Sequence, residues 1–290
     1  MIQGTASGVG KTIITMALCR IFSQDGYKTA PFKSQNMTSN TAFTDSGDEI
    51  AISQLLQAKA ANTNPVAAMN PIILKPDPEK KGTQIILNGK PYDIINAYNF
   101  KEIKKNLIPE ITKAYGNLSQ QYDIIVIEGA GSPVELNLTR NSNDIVNMGI
   151  AKLAQSPVLL VSDIDRGGVF ASLYGTVKLF DDSEREYVKA TIVNRFKGDM
   201  SYFKEGAAIL EEITGIPVVG VVPYIKFYMP EEDSLYSGSS DISDGDFESQ
   251  FDLIAENVRK SLDMDLIYKI INDGVQNMSD FFMTDSKNET

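Results

Sequence analysis

The sequence predicts an α/β protein built on a doubly wound, mostly parallel sheet. Short β-branched runs alternate with longer amphipathic stretches over the first 225 residues, the order that lays helices on both faces of one sheet. The apolar runs, Asp123-Ile-Ile-Val-Ile127 being the clearest, do not alternate with polar residues, as befits parallel strands covered on both faces.

Strands are expected at Thr29–Phe32, Ile72–Leu74, Gln84–Leu87, Asp123–Ile127, Val158–Ser162, Ala190–Val193 and Val218–Val222. Only Met1, Ile2 and Gln3 precede Gly4, so any strand feeding the first glycine-rich loop is very short, and the true start is expected upstream. Helical spacing runs through Thr12–Ser23, where Ile13, Met16, Ala17 and Ile21 share one side. It returns in Ile50–Ala61, Phe100–Gln120, Asp144–Ala154 and Ser201–Thr214. Residues 1–230 thus read as one domain. From Glu231 to Ser249 there are seven acidic residues and no Lys or Arg, with many Ser and Gly, the composition of a flexible linker. On this reading, deleting Ser237–Glu248 leaves nucleotide affinity unchanged. A helix is expected over residues 250–272, through Leu253, Ile254, Val258, Leu262, Leu266 and Ile270, and its apolar stripe must pack on something. Residues 273–290 read as a frayed tail.

Composition narrows the chemistry. The chain has 290 residues, a net charge of −11, no histidine and a single cysteine, Cys19. Without histidine there is no Ser-His-Asp triad, no Cys-His dyad and no His-bearing zinc site. One cysteine makes neither an intrachain disulfide nor a multi-Cys metal site, and Cys19, on the apolar side of the first helix, reads as core. The acidic balance gives no general attraction for nucleic acid or an anionic membrane. No apolar run of membrane-spanning length and no charged-then-apolar leader is visible, so a cytoplasmic location is expected.

The strongest motif is Gly4-Thr5-Ala-Ser7-Gly8-Val9-Gly10-Lys11-Thr12, which opens the first helix. Glycines there let backbone N–H groups converge on phosphate oxygens at a positive helix end. Lys11 would bridge the terminal phosphates and Thr12 would bind Mg²⁺. The loop is one residue longer than the usual pattern, with five residues between Gly4 and Gly10. Glu128 ends an apolar strand before Gly-Ala-Gly131, where ligands bind in open α/β sheets, and is a second candidate for Mg²⁺. Asp163, Asp165 and Arg166 follow another strand and reach the same edge, as substrate contacts or as a structural Asp-Arg pair. Gln35, Asn36 and Asn40 are candidates for binding substrate amides or carboxylates, or for capping a turn. Lys75 is a candidate for substrate or phosphate.

Together with this loop, Ala30-Pro-Phe-Lys33-Ser-Gln35-Asn36-Met37, Met69-Asn-Pro-Ile-Ile-Leu-Lys75-Pro76 and Ile127-Glu-Gly-Ala-Gly-Ser-Pro133 resemble the cobyric acid synthase family. So do Asp144-Ile-Val-Asn-Met148, Asp163–Gly175 and Gly215–Pro223, and the resemblance runs almost continuously from Met1 to about Leu235. It implies a P-loop ATPase of the dethiobiotin synthetase-like type, which explains the long loop. The implied reaction is ATP-dependent amidation, through acyl phosphates, of the b, d, e and g carboxylates of adenosylcobyrinic acid a,c-diamide in cobalamin biosynthesis. It implies catalytic roles for Lys11, Lys33 and Glu128, with Lys33 facing the reacting carboxylate and γ-phosphate. Asn194 resembles the residue that reads the adenine edge, with Pro223 and Tyr224 flanking the base. Glu49 resembles an acidic Mg²⁺ ligand of dethiobiotin synthetase, and equally suits a first-turn helix acid. A homodimer is implied by the same likeness. Full-length members carry a glutaminase domain before a terminal helix. Here that domain is missing between Leu235 and Phe251, so ammonia is expected from outside the chain, free or from a separate glutaminase subunit. The alternatives are a nucleotide-binding remnant without turnover and a partitioning-type ATPase switch. The switch usually needs a second lysine early in the loop, which is absent here.

Overall fold

The computed structural model describes residues 1–77, 82–95, 100–134, 144–227 and 244–285. In chain order the first elements are β1 (Ile2–Gly4), α1 (Lys11–Gln24), β2 (Thr29–Phe32), β3 (Gln35–Met37), β4 (Thr41–Phe43), β5 (Glu49–Ala51) and α2 (Ile52–Ala60). Then come β6 (Ile72–Asp77), β7 (Gly82–Leu87), β8 (Lys90–Ile95), α3 (Phe100–Ser119), β9 (Ile124–Ile127), α4 (Met148–Leu153) and β10 (Val158–Asp163). The chain continues through α5 (Val169–Leu179), α6 (Asp182–Arg185), β11 (Val188–Phe196), α7 (Lys204–Thr214), β12 (Val218–Pro223), α8 (Asp244–Ser261) and α9 (Met264–Asp285).

Two parallel ladders, β2-β9 and β1-β10-β11-β12, are joined by a parallel bridge between Ile2 and Glu128. The resulting order, β2-β9-β1-β10-β11-β12, is the expected parallel sheet. Successive residues of β10 feed opposite cores: Val158 and Leu160 pack with Phe32, Met69 and Ile111 on one face. Leu159 and Val161 pack with Ile14, Leu18 and Phe22 of α1 on the other. This two-sided burial is why the runs do not alternate. A second sheet, β3-β6-β7-β8, is antiparallel along β6-β7-β8, and β4-β5 form a small hairpin.

The C-terminal part departs from expectation. The helix begins at Asp244, within the segment read as linker; residues 231–243 of that segment lie outside the described residues. In place of one helix over residues 250–272 there are two, broken at Leu262-Asp263. The break is held from both sides. The Asp263 amide donates to Val219 O at 2.8 Å, and Asp263 Oδ1 accepts from Leu266 N at 3.0 Å as the cap of α9. Residues expected to fray are helical as far as Asp285, and residues 286–290 lie outside the described set.

Candidate nucleotide-binding site

The predicted residues sit at one edge of the sheet because the strands that carry them are parallel. Gly4 ends β1, Lys33 follows β2, Glu128 follows β9, Asp163 ends β10, Asn194 stands near the end of β11 and Pro223 ends β12. All lie at the carboxyl ends of their strands, the side on which such sheets bind ligands.

The loop after β1 closes round Lys11. Gly8 and Gly10 take φ of 73° and 100°, a region that favours glycine. A Cβ on Gly10 would lie 2.1 Å from Asn194 Nδ2. Lys11 Nζ donates to Ala6 O at 3.0 Å and to Gly131 O at 2.8 Å, which holds the cation across the loop. Asn194 Nδ2 donates to Val9 O at 2.8 Å, and Thr5 Oγ1 meets Ser162 Oγ at 2.9 Å. Gly4, Thr5 and Val9 thus shape the loop, whereas Ser7, Gly8, Gly10, Lys11 and Thr12 line a cavity of about 1070 Å³.

Glu128 is the hub of the site. It is 1% exposed. Its Oε1 accepts from Thr12 Oγ1 at 2.9 Å and from Lys33 Nζ at 3.0 Å, and its Oε2 accepts from Gln57 Nε2 at 2.6 Å. One carboxylate therefore ties together the P-loop helix, the end of β2 and α2. Such a buried charge persists only when paired and hydrogen-bonded. Sequence reasoning missed Gln57, which lies in a helix and carries no local motif.

Of the residues expected to meet substrate, Asn36 and Arg166 line the cavity. Asn36 Nδ2 also donates to Ser53 Oγ and Gln54 Oε1, at 3.1 and 2.9 Å. Gln35, Glu49, Lys75, Asp163 and Asp165 are not among the lining residues. Glu49 Oε1 accepts from Lys75 Nζ and Thr41 Oγ1, each at 2.5 Å. Its position in β5 rather than in the first turn of α2 puts that carboxylate against β4 and β6. Asp163 holds Arg195, with Arg195 Nη1 donating to Asp163 Oδ2 at 2.8 Å. Arg195 lines the cavity with φ of 62°, a costly conformation for a side-chain-bearing residue. It was missed although it adjoins Asn194. Asp165 pairs with Lys197 at 2.7 Å and holds that ammonium above its usual range. Lys197 Nζ in turn lies 4.9 Å from the ring centre of Tyr224, a cation–π contact that braces Tyr224 beside Pro223 on the cavity wall. Cys19 is buried and burial pushes its thiol up, which suits a core residue.

The sequence matches the CbiA family, described as the CobQ/CobB/MinD/ParA nucleotide binding domain, over residues 1–233. The chain belongs to that family. Within it, the chain is 55% identical over 235 residues to the cobyric acid synthase of Ruminiclostridium cellulolyticum, covering 81% of this chain and 45% of that protein. It is 53% identical to the cobyric acid synthase of Lachnoclostridium phytofermentans, over 81% of this chain and 46% of that protein. It is 49% identical to that of Citrobacter koseri, over 81% and 46%. The chain spans about half the length of the curated relatives it matches. Among solved structures, the MinD cell division protein of Aquifex aeolicus is 15% identical, covers 77% of this chain and 81% of its own, and gives a TM-score of 0.39, a superposition too loose to argue from.

The match assigns a nucleotide-binding domain to residues 1–233, and all but one of the residues that line the cavity, Gln250, belong to that stretch. Among the described residues no helix is long and apolar enough to cross a membrane, and no group of three or more acidic or cysteine side chains is placed to hold a metal alone. A Mg²⁺ ion that arrives with a nucleotide needs fewer protein ligands, because phosphates and waters complete its octahedron. The Thr12 hydroxyl and Glu128 carboxylate, in contact with each other at the cavity wall, form a hard-oxygen donor set that fits such an ion.

Proposed function

We propose that this chain is an ATP- and Mg²⁺-dependent carbon-nitrogen ligase unit that amidates the b, d, e and g carboxylates of adenosylcobyrinic acid a,c-diamide in cobalamin biosynthesis, with ammonia supplied from outside the chain. The observation that carries the reading is the convergence of Lys11, Thr12, Lys33 and Glu128 on one cavity, in a chain 55% identical to a cobyric acid synthase over this region.

In this reading a carboxylate oxygen of the substrate attacks the γ-phosphorus and ADP leaves. Ammonia then attacks the acyl carbon of the resulting acyl phosphate, phosphate leaves, and the nitrogen gives up a proton. Phosphoryl transfer of this kind rests on positioning and charge neutralisation. Lys11, fixed across the loop by Ala6 and Gly131, would neutralise the terminal phosphates. Lys33, held by Glu128, would face the oxygens shared by γ-phosphate and substrate. When bound, Mg²⁺ supplies further charge neutralisation, held by Thr12 and Glu128. Asn194 and Tyr224 would receive adenine, Asn194 with the amide that already anchors Val9. The absence of histidine costs this chemistry nothing.

The test is ADP release and amide formation by the purified chain with cobyrinic acid a,c-diamide and Mg²⁺, comparing ammonium with glutamine. Turnover with ammonium alone is expected. Equal turnover with glutamine would overturn the external ammonia supply, and ATP binding without turnover on either donor would overturn the ligase activity. Light scattering during the same preparation tests the homodimer that the likeness to dethiobiotin synthetase implies.

A further inference from the structure

We infer that α8, the helix after the acidic segment, supplies a base-recognition residue to the nucleotide cavity, and that this residue is Gln250. The inference rests on the nucleotide reading of the cavity and adds a wall to it that the P-loop half of the chain does not contain.

Gln250 lines the cavity in company with Pro223, Tyr224, Ile225, Lys226 and Phe227, the stretch that leaves β12 beside Asn194. The lining groups divide by origin: those suited to phosphate come from the loop after β1, whereas the aromatic and amide groups Asn194, Tyr224, Phe227 and Gln250 come from β11, the stretch after β12, and α8. Gln250 is placed there by firm packing. Phe251, next in sequence, is fully buried and stacks between Phe227 and Phe247, with ring centres 6.4 and 6.0 Å away and interplanar angles of 27° and 20°. Arg20 of α1 grips the same turn, at 2.9 Å to Glu248 and 2.8 Å to Asp252. At the other end of α8, Gly220 of β12 lies so close that a Cβ there would be 2.2 Å from Ser261 O. A helix fixed at both ends presents residue 250 at a defined position, and a glutamine amide offers both a donor and an acceptor to the edge of a purine. The reading of residues 231–249 as a mere tether therefore fails at its end: Phe247 and Glu248 are part of the clamp.

The experiment measures binding of Mg·ATP and of Mg·tripolyphosphate, a probe with phosphates and no base, to the full chain and to Gln250→Ala and Gln250→Met. Methionine keeps the length and helix propensity of glutamine and removes its hydrogen-bonding amide. Both variants are expected to weaken ATP by roughly three- to tenfold, the range of one lost hydrogen bond, and to leave tripolyphosphate unchanged. Unchanged ATP affinity in both variants overturns the inference. So does full affinity in Gln250→Met with loss in Gln250→Ala, which reduces the residue to packing, and so does equal weakening of both probes. Failure of the parent chain to bind either probe refutes the nucleotide reading itself, and is distinguished from these outcomes by that fact.

Discussion

Replacing Lys33 by methionine isolates what holds the centre of the site together. The Lys33–Glu128 pair is 3.0 Å long, with side chains 4% and 1% exposed. At that separation and an effective dielectric of 20 the direct attraction is about 5 kcal/mol, most of it offset by the cost of taking both ions out of water. The cost of removing one partner is larger than the worth of the pair, because Glu128 stays buried; removal from such pairs typically costs about 3–5 kcal/mol. Glu128 keeps its bonds from Thr12 and Gln57, which places Lys33→Met at the lower end, about 3 kcal/mol. That is a fall in melting temperature of about 6 °C at about 2 °C per kcal/mol for a chain of this size. Calorimetry or guanidinium unfolding measures it, together with Glu128→Gln and the double variant. The double variant should be more stable than the sum of the singles predicts by about 2 kcal/mol, the coupling of residues in direct contact. Additivity within about 0.5 kcal/mol would refute the claim that this pair acts as a unit.

Two further perturbations test other parts of the structure. Gly10→Ala should destabilise by about 1–3 kcal/mol from strain at positive φ and push Asn194 off Val9. Nucleotide binding should weaken by about tenfold or more, equivalent to about 1.4 kcal/mol, and unchanged affinity would remove the loop from the phosphate site. Acid should loosen the α1–α8 clamp. Hydrogen bonds from Arg259 and Arg20 hold Asp25 and Asp252 below the usual carboxylate range. Their contribution is present above the free carboxylate value of about 3.9 and is lost as pH falls through the lower folded values. Hydrogen exchange at the Asp263 amide, corrected for the intrinsic rate, should therefore accelerate only below about pH 4; unaltered protection there would show that apolar packing alone holds the helix.

Much of the parallel sheet was legible because its strands are apolar on both faces, and every expected strand is present. The glycine-rich loop was legible because its pattern is local: Gly8 and Gly10 take positive φ, and Lys11 and Thr12 open α1 at the cavity. Elements too short to show a period, or dependent on partners far away in sequence, were not. β3, β4 and β5 span three residues each, too short for any period to register. α5, for which no helix was expected, does carry Val169, Leu173 and Val177 spaced for one buried face. Glu49 and Lys75 were each read as site residues, and their pairing with each other emerges only when β5 and β6 are folded. The acidic, serine-rich composition around Glu248 pointed to a tether; Arg20, more than two hundred residues earlier, is what makes part of it a docked helix.

The clamp between α1 and α8 also bears on how the chain is made. Ile14, Leu18 and Phe22 of the P-loop helix share their core with Phe251, Ile254 and Val258, so this layer is complete only after residue 258 has been synthesised. At about 5–20 residues per second, a ribosome takes over ten seconds to travel from one partner to the other. During that interval the nascent chain carries an apolar face of α1 without its cover, a surface that favours chaperone capture. Closing contacts of such sequence separation is slow, which makes the helix that carries Lys11 and Thr12 among the last parts of the molecule to become fully enclosed.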